Sequence, residues 1–181
     1  LRRLLMDDKA LIEATLSGNV EAFGTLVRQY QNVLVASARH LTRNAEDAED
    51  LAQEALVDAY RNLRSLKDRG KFRAWLFGIL RHKCLTYFER RGPDAVPLDN
   101  YAESLPAPEA MGGAELADLL DGLPLAMREI LAARYIQELS YEEIAETLGT
   151  SVNVVRVRCC RARERMREIF AARRAEGGVT C

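Results

Sequence analysis

The chain has 181 residues, of which 48% are hydrophobic and 29% charged, with a formal net charge of -1. This length allows one large domain or two small ones, and a domain of roughly 70 to 100 residues buries only about 60% of its unfolded surface. No window approaches the ~18 uninterrupted apolar residues of a membrane span and the N-terminus has no signal-peptide profile, so we expect a soluble, cytoplasmic protein without membrane insertion.

Apolar residues recur at helical spacing along nearly the whole chain, and no alternating strand pattern lasts for more than a few residues. We therefore predict an all-α fold, with helices over residues 11–16, 20–41, 45–63 and 71–90 in the N-terminal half. The core stripe of the second helix is predicted to be Phe23, Leu26, Val27, Tyr30, Val33 and Leu34, and that of the third Leu51, Ala55, Leu56 and Ala59.

Residues 92–113 separate this half from the C-terminal one. They hold four of the five prolines and almost no periodicity, which predicts a linker that is extended in part because proline resists helix formation. This segment contains no basic residue and four acidic ones: Asp94, Asp99, Glu103 and Glu109. Beyond the linker, short helices are predicted over residues 115–120 and, after Pro124, over residues 125–137.

Residues 140–168 predict two helices joined by a short turn. Ser140 and Glu143 have the spacing of a capping box, Gly149 is placed to end the first helix in the left-handed conformation, and Ser151 can cap the second helix. A small residue, Ala145, stands where the helices must cross closely. This pattern favours a helix-turn-helix, and an ordinary helical hairpin in a bundle stays the alternative.

The second helix of this pair has two contrasting faces. Its core stripe is predicted to be Val152, Val155, Cys159, Ala162 and Met166. The opposite side presents Val157, Cys160, Arg161 and Glu164, flanked by Arg156 and Arg158. In a helix-turn-helix the second helix enters the major groove of DNA, and arginine suits that position because its planar fork can pair with guanine or phosphate.

Charge is segregated along the chain. Residues 46–58 hold six acids and no base, residues 61–91 carry a surplus of eight positive charges, and residues 151–174 carry a surplus of six. This asymmetry predicts two basic surfaces for a polyanion and a separate acidic surface for another partner, while the alternative for each run alone is a solvated helix face.

The first basic block is also aromatic, and unstacked bases bind aromatic surfaces. Most of its aromatic side chains are nevertheless expected in the core, namely among Phe72, Trp75, Phe77, Tyr87 and Phe88. The loop over residues 67–71, which contains Gly70, is the better candidate for receiving an everted base, because a helix face is convex and such a base needs a pocket.

The four cysteines form no CxxC pair and no Cys/His ladder, so we predict no disulfide framework, no metal and no cofactor. Cys159 and Cys160 project about 100° apart on one helix, the first toward the core and the second toward the predicted DNA face. His82 and Cys84 are the closest His/Cys pair, and no nucleophile motif or glycine-rich phosphate loop is present. An enzyme or a metalloprotein is therefore the least favoured class.

Three segments in order carry a family resemblance. "DAEDLAQEALVDAYRNL", "KFRAWLFGILRHKC" with "FERR", and "LPLAMREILAARYIQELSYEEIAETLGTSVNVVRVRCCRARERMRE" resemble the bacterial RNA polymerase sigma factors of the extracytoplasmic-function (ECF) group, over residues 9–169 or so. The resemblance implies a region 2-like domain over residues 1–91, a linker over 92–113, a region 4-like helix-turn-helix domain over 114–175 and a tail over 176–181.

The resemblance also implies a role for each segment. The acidic helix would dock on core RNA polymerase through Asp47, Asp50, Gln53, Glu54 and Asp58. The basic and aromatic block would recognise and melt the minus-10 promoter element through Lys67, Lys71, Phe72, Arg73, Trp75, Arg81 and His82, with His82 where the family usually has asparagine. The helix-turn-helix would recognise the minus-35 element through Ser151, Arg156, Val157, Arg158, Cys160 and Arg161.

Val157 replaces the serine usual in this family. We expect one hydrogen bond to DNA to be missing and a methyl contact with thymine to replace it, which would alter the preference for the upstream element.

The partners implied are core RNA polymerase, promoter DNA both double-stranded and melted, and an anti-sigma factor. Because two small DNA surfaces on a flexible linker bind weakly until polymerase fixes their spacing, we predict weak duplex binding by the free protein. The other class to be weighed is a free-standing helix-turn-helix regulator with an N-terminal sensory or dimerisation domain, which would not need the acidic helix followed by a basic and aromatic one.

Overall fold

A computed structural model of the chain describes residues 7–91 and 122–177. Within these ranges the regular secondary structure is helical and no strand occurs, which confirms the predicted all-α class. The contacts divide the chain into two compact units, with the boundary between Arg90 and Arg91. The predicted linker with its four acids, the helix predicted over 115–120 and the tail after residue 177 lie outside the described residues.

Residues 7–91, which hold the described part of the first unit, form four α-helices. These are α1 (Asp8–Leu16), α2 (Val20–Thr42), α3 (Ala45–Asn62) and α4 (Phe72–Arg91), and two short 3-10 turns, Leu63–Ser65 and Arg69–Lys71, connect α3 to α4. Side chains of Asp7, Asn19 and Asn44 accept hydrogen bonds from backbone amides of the first turns of α1, α2 and α3. Helix α1 begins three residues before its predicted start because Asp7 caps it.

The core of the first unit follows the predicted stripes. Phe23, Leu26, Tyr30 and Leu34 are buried as predicted, whereas Val27 and Val33 are half-buried because they lie at the two edges of the stripe. All four predicted core residues of α3 are buried. Helix α4 adds several large side chains to the same core, among them Phe72, Leu76, Phe77 and Leu80.

The second unit contains α5 (Leu125–Leu131), α6 (Tyr141–Leu148) and α7 (Val152–Gly177). The predicted helix over 125–137 is α-helical only to Leu131 and continues as a π-helical turn, Ala132–Ile136, in which the Gln137 amide donates to the Ala132 carbonyl at 2.8 Å. The capping box of Ser140 and Glu143 is present, and Gly149 ends α6 with a φ of 62°. Both predicted helix signals are thus confirmed.

The predicted core stripe of α7 is confirmed at Val155, Cys159, Ala162 and Met166, which are buried, while Val152 in the first turn is half-buried. Helix α7 contacts α5 and α6, whose buried residues include Ile130, Leu131, Ile144 and Ala145. The packing fixes which side of α7 faces solvent.

Candidate polymerase and nucleic-acid interfaces

Helix α3 presents an acidic face with an exposed apolar residue within it. Asp50, Gln53, Glu54 and Asp58 share one side of the helix because they are three or four residues apart. They line an open groove together with Val57, Arg61 and Lys83. The side chain of Val57 is 47% exposed, so this face combines apolar surface with carboxylates.

Lys83 of α4 lies across this acidic face. Its Nζ is 2.7 Å from Asp58 Oδ2 and 3.2 Å from Glu54 Oε2. The hydrogen bond to Asp58, and secondarily the one to Glu54, raises the pKa of Lys83. The sequence did not single out Lys83, because nothing in the spacing of α4 indicates which residues of α3 it meets.

Asp47 is placed differently from the other four predicted docking residues. The Tyr87 hydroxyl of α4 donates a hydrogen bond to Asp47 Oδ2 at 2.5 Å, and Asp47 is half-buried in the first turn of α3. The Tyr87 ring packs edge-on against Phe88, with centroids 5.4 Å apart. One oxygen of this carboxylate therefore joins α3 to α4 within the protein.

The structure places the predicted minus-10 residues in three environments. Lys67, Lys71 and His82 are exposed, and Arg73, Trp75 and Arg81 are half-buried. Phe72 is only 1% exposed, so the expectation that it contacts DNA is corrected: it offers no surface for a base. Its ring instead packs edge-on against Tyr30 at 5.5 Å and lies 6.0 Å from the Trp75 ring. Phe72 fixes the start of α4.

The loop before α4 has a defined conformation. Asp68 Oδ1 accepts a hydrogen bond from the Gly70 amide at 2.9 Å, and the Asp68 carbonyl accepts one from the Lys71 amide at 3.0 Å. Leu66 is buried and anchors the loop to the core. The turn thereby holds Lys67 and Lys71 at the surface.

The exposed side of α7 carries the predicted minus-35 residues. Ser151 Oγ accepts a hydrogen bond from the Val154 amide at 3.3 Å, in agreement with its predicted capping role. Arg156, Val157 and Arg158 are exposed, and Cys160 and Arg161 are half-buried. Val154, which the sequence did not single out, is 37% exposed beside the 43% exposed Val157.

Tyr141 orients one of these arginines. Two guanidinium groups lie over its ring, with the central carbon of Arg134 5.2 Å and that of Arg156 5.7 Å from the ring centroid. Arg134 also donates to the Leu139 carbonyl at 3.0 Å, which fixes it beside the ring. Because cations are attracted to the faces of aromatic rings, Tyr141 stabilises one orientation of Arg156 on the exposed side of α7.

The two adjacent cysteines differ as predicted. Cys159 is 1% exposed, and burial raises the pKa of its thiol to about 11, whereas Cys160 is half-buried. Within residues 7–91 and 122–177, no group of three or more His, Cys, Asp or Glu side chains could hold a metal ion. None of the helices in the same part of the chain is long and apolar enough to span a membrane.

The fold and these surfaces define a class of protein: a helical transcription factor with one unit that joins an acidic face to a basic helix and another that holds a helix-turn-helix. Residues 26–93 match the Sigma-70 region 2 family, and residues 113–166 match the Sigma-70, region 4 family.

Two curated relatives match over nearly their whole length. The chain is 33% identical over 177 residues to the ECF RNA polymerase sigma-E factor of Haemophilus influenzae. This match covers 88% of this chain and 93% of that protein. It is 31% identical over 176 residues to the ECF RNA polymerase sigma-E factor of Escherichia coli K12, covering 88% of this chain and 92% of that protein.

Two solved structures are also similar. CnrH, in complex with the cytosolic domain of CnrY, has a TM-score of 0.69 and 29% identity, covering 92% of this chain and 98% of CnrH. The sigma factor RpoE of Bartonella quintana, in complex with the anti-sigma factor NepR, has a TM-score of 0.68 and 26% identity, covering 84% of this chain and 98% of RpoE.

The chain belongs to the ECF group of bacterial RNA polymerase sigma factors. It is an alternative sigma factor, which binds core RNA polymerase and promoter DNA and directs promoter-specific transcription initiation.

Proposed function

We propose that the contacts of initiation are divided between the two units. Residues 1–91 bind core polymerase and the minus-10 element, residues 114–175 bind the minus-35 element, and residues 92–113 link them. The observation that supports this division most strongly is that the acidic face of α3 and the arginine-rich exposed side of α7 belong to different compact units.

Polymerase docking uses the acidic face of α3. Asp50, Gln53 and Glu54 are its most exposed polar groups, and Val57 supplies apolar area at its centre. Asp58 contributes to the same face while it is paired with Lys83. Asp47 contributes indirectly, since its bond to Tyr87 holds the start of α3 against α4.

Minus-10 recognition uses the loop before α4 and the exposed side of α4. Lys67, Lys71 and His82 are the exposed groups, and Arg73, Trp75 and Arg81 present part of their surfaces. A melted strand offers phosphates to the cations and unstacked bases to flat side chains. Phe72 acts through its packing against Tyr30.

Minus-35 recognition uses the exposed side of α7. Arg156, Arg158 and Arg161 provide forks for guanine or phosphate, and Ser151 lies at the start of the helix where backbone amides can also bind phosphate. Val157 and Cys160 provide apolar contacts. The Val157 methyl groups can meet the methyl group of thymine.

The protein acts by binding, without catalysis of its own, in the cytoplasm where polymerase and chromosomal DNA are found. Polymerase fixes the spacing of two weak DNA-binding units and so converts them into one bivalent ligand. Unstacking a base costs a few kcal/mol, which pocket binding and phosphate contacts offset. An anti-sigma factor is proposed as a further partner, because one similar solved sigma factor is bound to such a protein.

Run-off transcription with core polymerase on a promoter library tests this function. Transcripts that depend on the protein and share two spaced upstream elements are expected. Co-purification with core polymerase distinguishes a sigma factor from a free-standing regulator. Specific nanomolar binding to duplex promoter DNA by the free protein at physiological salt would contradict the proposed dependence on polymerase.

A further inference from the structure

Helix α1 packs beside the loop that precedes α4. Glu13 Oε1 lies 3.9 Å from Arg69 Nε, which is itself buried although the rest of the Arg69 side chain reaches the surface. The family match to Sigma-70 region 2 begins at residue 26, so α1 lies before the matched segment. The structure therefore brings a helix outside the family match against the loop proposed to bind melted DNA.

Lys9 of α1 lies directly over this turn. A Cβ at Gly70 would lie 3.3 Å from Lys9 Cε, 3.7 Å from Lys9 Nζ and 3.2 Å from Asp68 Oδ1. The end of the Lys9 side chain therefore lies against the backbone of the turn at Gly70. The end of the Lys9 side chain shares the surface of the turn with Lys67 and Lys71.

Helix α1 is held firmly enough to fix the position of Lys9. Leu11 and Ile12 are buried in the core of the unit. The Tyr30 hydroxyl donates to Asp8 Oδ2 at 2.5 Å, and the Tyr30 ring packs edge-on against Phe72 at the start of α4. The residue next to Lys9 is thereby connected through α2 to the same end of α4 that follows the loop.

The charge of Lys9 is available for a ligand. The residue is exposed, and within the described part of the chain no carboxylate forms an ion pair with it. The end of its side chain lies beside Gly70 and Asp68, in a turn in which Lys67 and Lys71 are also exposed. Three exposed lysines on or beside one short turn outnumber its single carboxylate, Asp68, and favour a phosphodiester backbone over a neutral ligand.

We propose that Lys9 is a DNA-binding residue that contacts a backbone phosphate of the melted minus-10 strand, and that α1 completes the binding surface of the loop over residues 67–71. This inference rests on the proposed minus-10 function of the loop. Glu13 lies 3.9 Å from Arg69 of the turn and, being negatively charged, does not itself bind a phosphate.

The experiment uses polymerase holoenzyme and a labelled promoter fragment whose minus-10 non-template strand is unpaired. Binding is measured over a range of salt concentrations for the wild type, Lys9→Gln, Lys9→Arg, Lys71→Gln and Arg39→Gln. Arg39 is an exposed cation at the far end of α2 and serves as the charge-matched control.

Loss of one phosphate contact to a single strand makes the negative slope of log K against log salt less steep by about 0.7. We expect this loss in Lys9→Gln, wild-type behaviour in Lys9→Arg and Arg39→Gln, and an unchanged melting temperature of each free protein. A Lys9→Gln slope equal to that of Arg39→Gln would overturn the inference. The inference is also overturned if Lys9→Gln binds more weakly and Lys9→Arg does not restore wild-type binding. The same holds if the weaker binding of Lys9→Gln is accompanied by a lower melting temperature.

Lys71→Gln separates this inference from the function on which it rests. If the salt dependence of binding is less steep in Lys71→Gln but unchanged in Lys9→Gln, the role of α1 is refuted and the loop stays assigned to the minus-10 strand. Unchanged slopes in both variants would refute the proposed role of the loop and the inference with it.

Discussion

Lys83 on α4 lies 2.7 Å from Asp58 on α3, and the same ammonium group lies 3.2 Å from Glu54. The ion pair connects the helix proposed to bind polymerase with the helix proposed to bind melted DNA. Asp58 is the closer partner, so Glu54, whose side chain is 60% exposed, is the carboxylate more available to polymerase. This difference leads to a prediction for Glu54.

Glu54→Gln is expected to weaken binding to core polymerase roughly three- to tenfold, because it removes a charge from an interface without burying an unpaired group. Glu49→Gln is the matched control, since Glu49 is an exposed carboxylate on the same helix but points away from the groove. Affinity of labelled protein for core polymerase is the measurement. Equal affinities of the two variants would remove Glu54 from the docking surface.

Phe72→Ala is expected to destabilise the first unit by about 3 to 5 kcal/mol, because it leaves a cavity where a buried ring packed against Tyr30. Lys71→Ala, one residue earlier and exposed, should leave stability nearly unchanged and reduce promoter opening. Denaturant unfolding measures the first effect and a base-reactivity assay in holoenzyme the second. Unfolding curves of Phe72→Ala that overlay the wild type would contradict the buried placement of the ring.

The contribution of Asp8 to stability should increase as the pH falls, whereas that of an ion-paired carboxylate decreases. Burial raises the pKa of Asp8 above 3.8, although the hydrogen bond from Tyr30 opposes this. The folded state therefore binds this proton more tightly than the unfolded state. The contribution of Asp8 to stability should rise as the pH falls through its folded pKa, and level off below about 3.8.

Asp8→Asn keeps an acceptor for Tyr30 and cannot titrate. The free energy of unfolding of the wild type minus that of Asp8→Asn, followed from pH 7 downward, should therefore increase. Glu49→Gln, which removes an exposed carboxylate, controls for the change in net charge. A difference that stays flat or falls with decreasing pH would show that the pKa of Asp8 is not raised.

Cys160 should react with a thiol reagent well before Cys159 in the native protein. Cys159 is 1% exposed and its thiol has a pKa of about 11, so little thiolate is present and access is blocked. Peptide mass spectrometry after timed alkylation distinguishes the two sites. If alkylated Cys160 leaves minus-35 selectivity unchanged, that residue does not contact DNA, and preferential labelling of Cys159 would contradict its burial.

Tyr141→Leu is expected to weaken minus-35 binding through Arg156, while Tyr141→Phe should behave like the wild type because a phenyl ring keeps the cation attraction. An exposed pair of this kind contributes about 0.5 to 1 kcal/mol, or a few-fold in affinity. Holoenzyme binding to promoters with an intact or scrambled minus-35 element is the measurement. In an Arg156→Ala background, Tyr141→Leu should cause no further loss of minus-35 affinity. If it causes the same loss as in the wild type, Tyr141 acts independently of Arg156.

Local sequence determined most of the secondary structure. Asn19 and Asn44 are strong capping residues, the Ser140 and Glu143 pair forms a capping box, and Gly149 adopts the left-handed conformation that few other residues tolerate. The buried stripes of α2, α3 and α7 followed from three- and four-residue spacing. These features are predictable because each depends on residues within about one or two helical turns.

The family and its function were also accessible from the sequence, since the three motifs stand in the right order and with distinctive composition. Composition did not, however, separate surface aromatic residues from core ones. Phe72 and Trp75 are both in the basic and aromatic block, yet the first is buried and the second half-buried. Only the position of α2, which places Tyr30 against Phe72, decides between them.

The contacts between helices were decided by tertiary structure alone. Tyr87 meets Asp47 across 40 positions of sequence, Lys83 meets Asp58, and Lys9 lies over Gly70. Periodicity specifies which side of a helix is apolar, but the packing of several apolar sides around one core sets which polar groups become neighbours. That packing places α1 beside the loop before α4, and it is the reason that Lys9, which has no distinctive sequence context, is proposed to bind DNA.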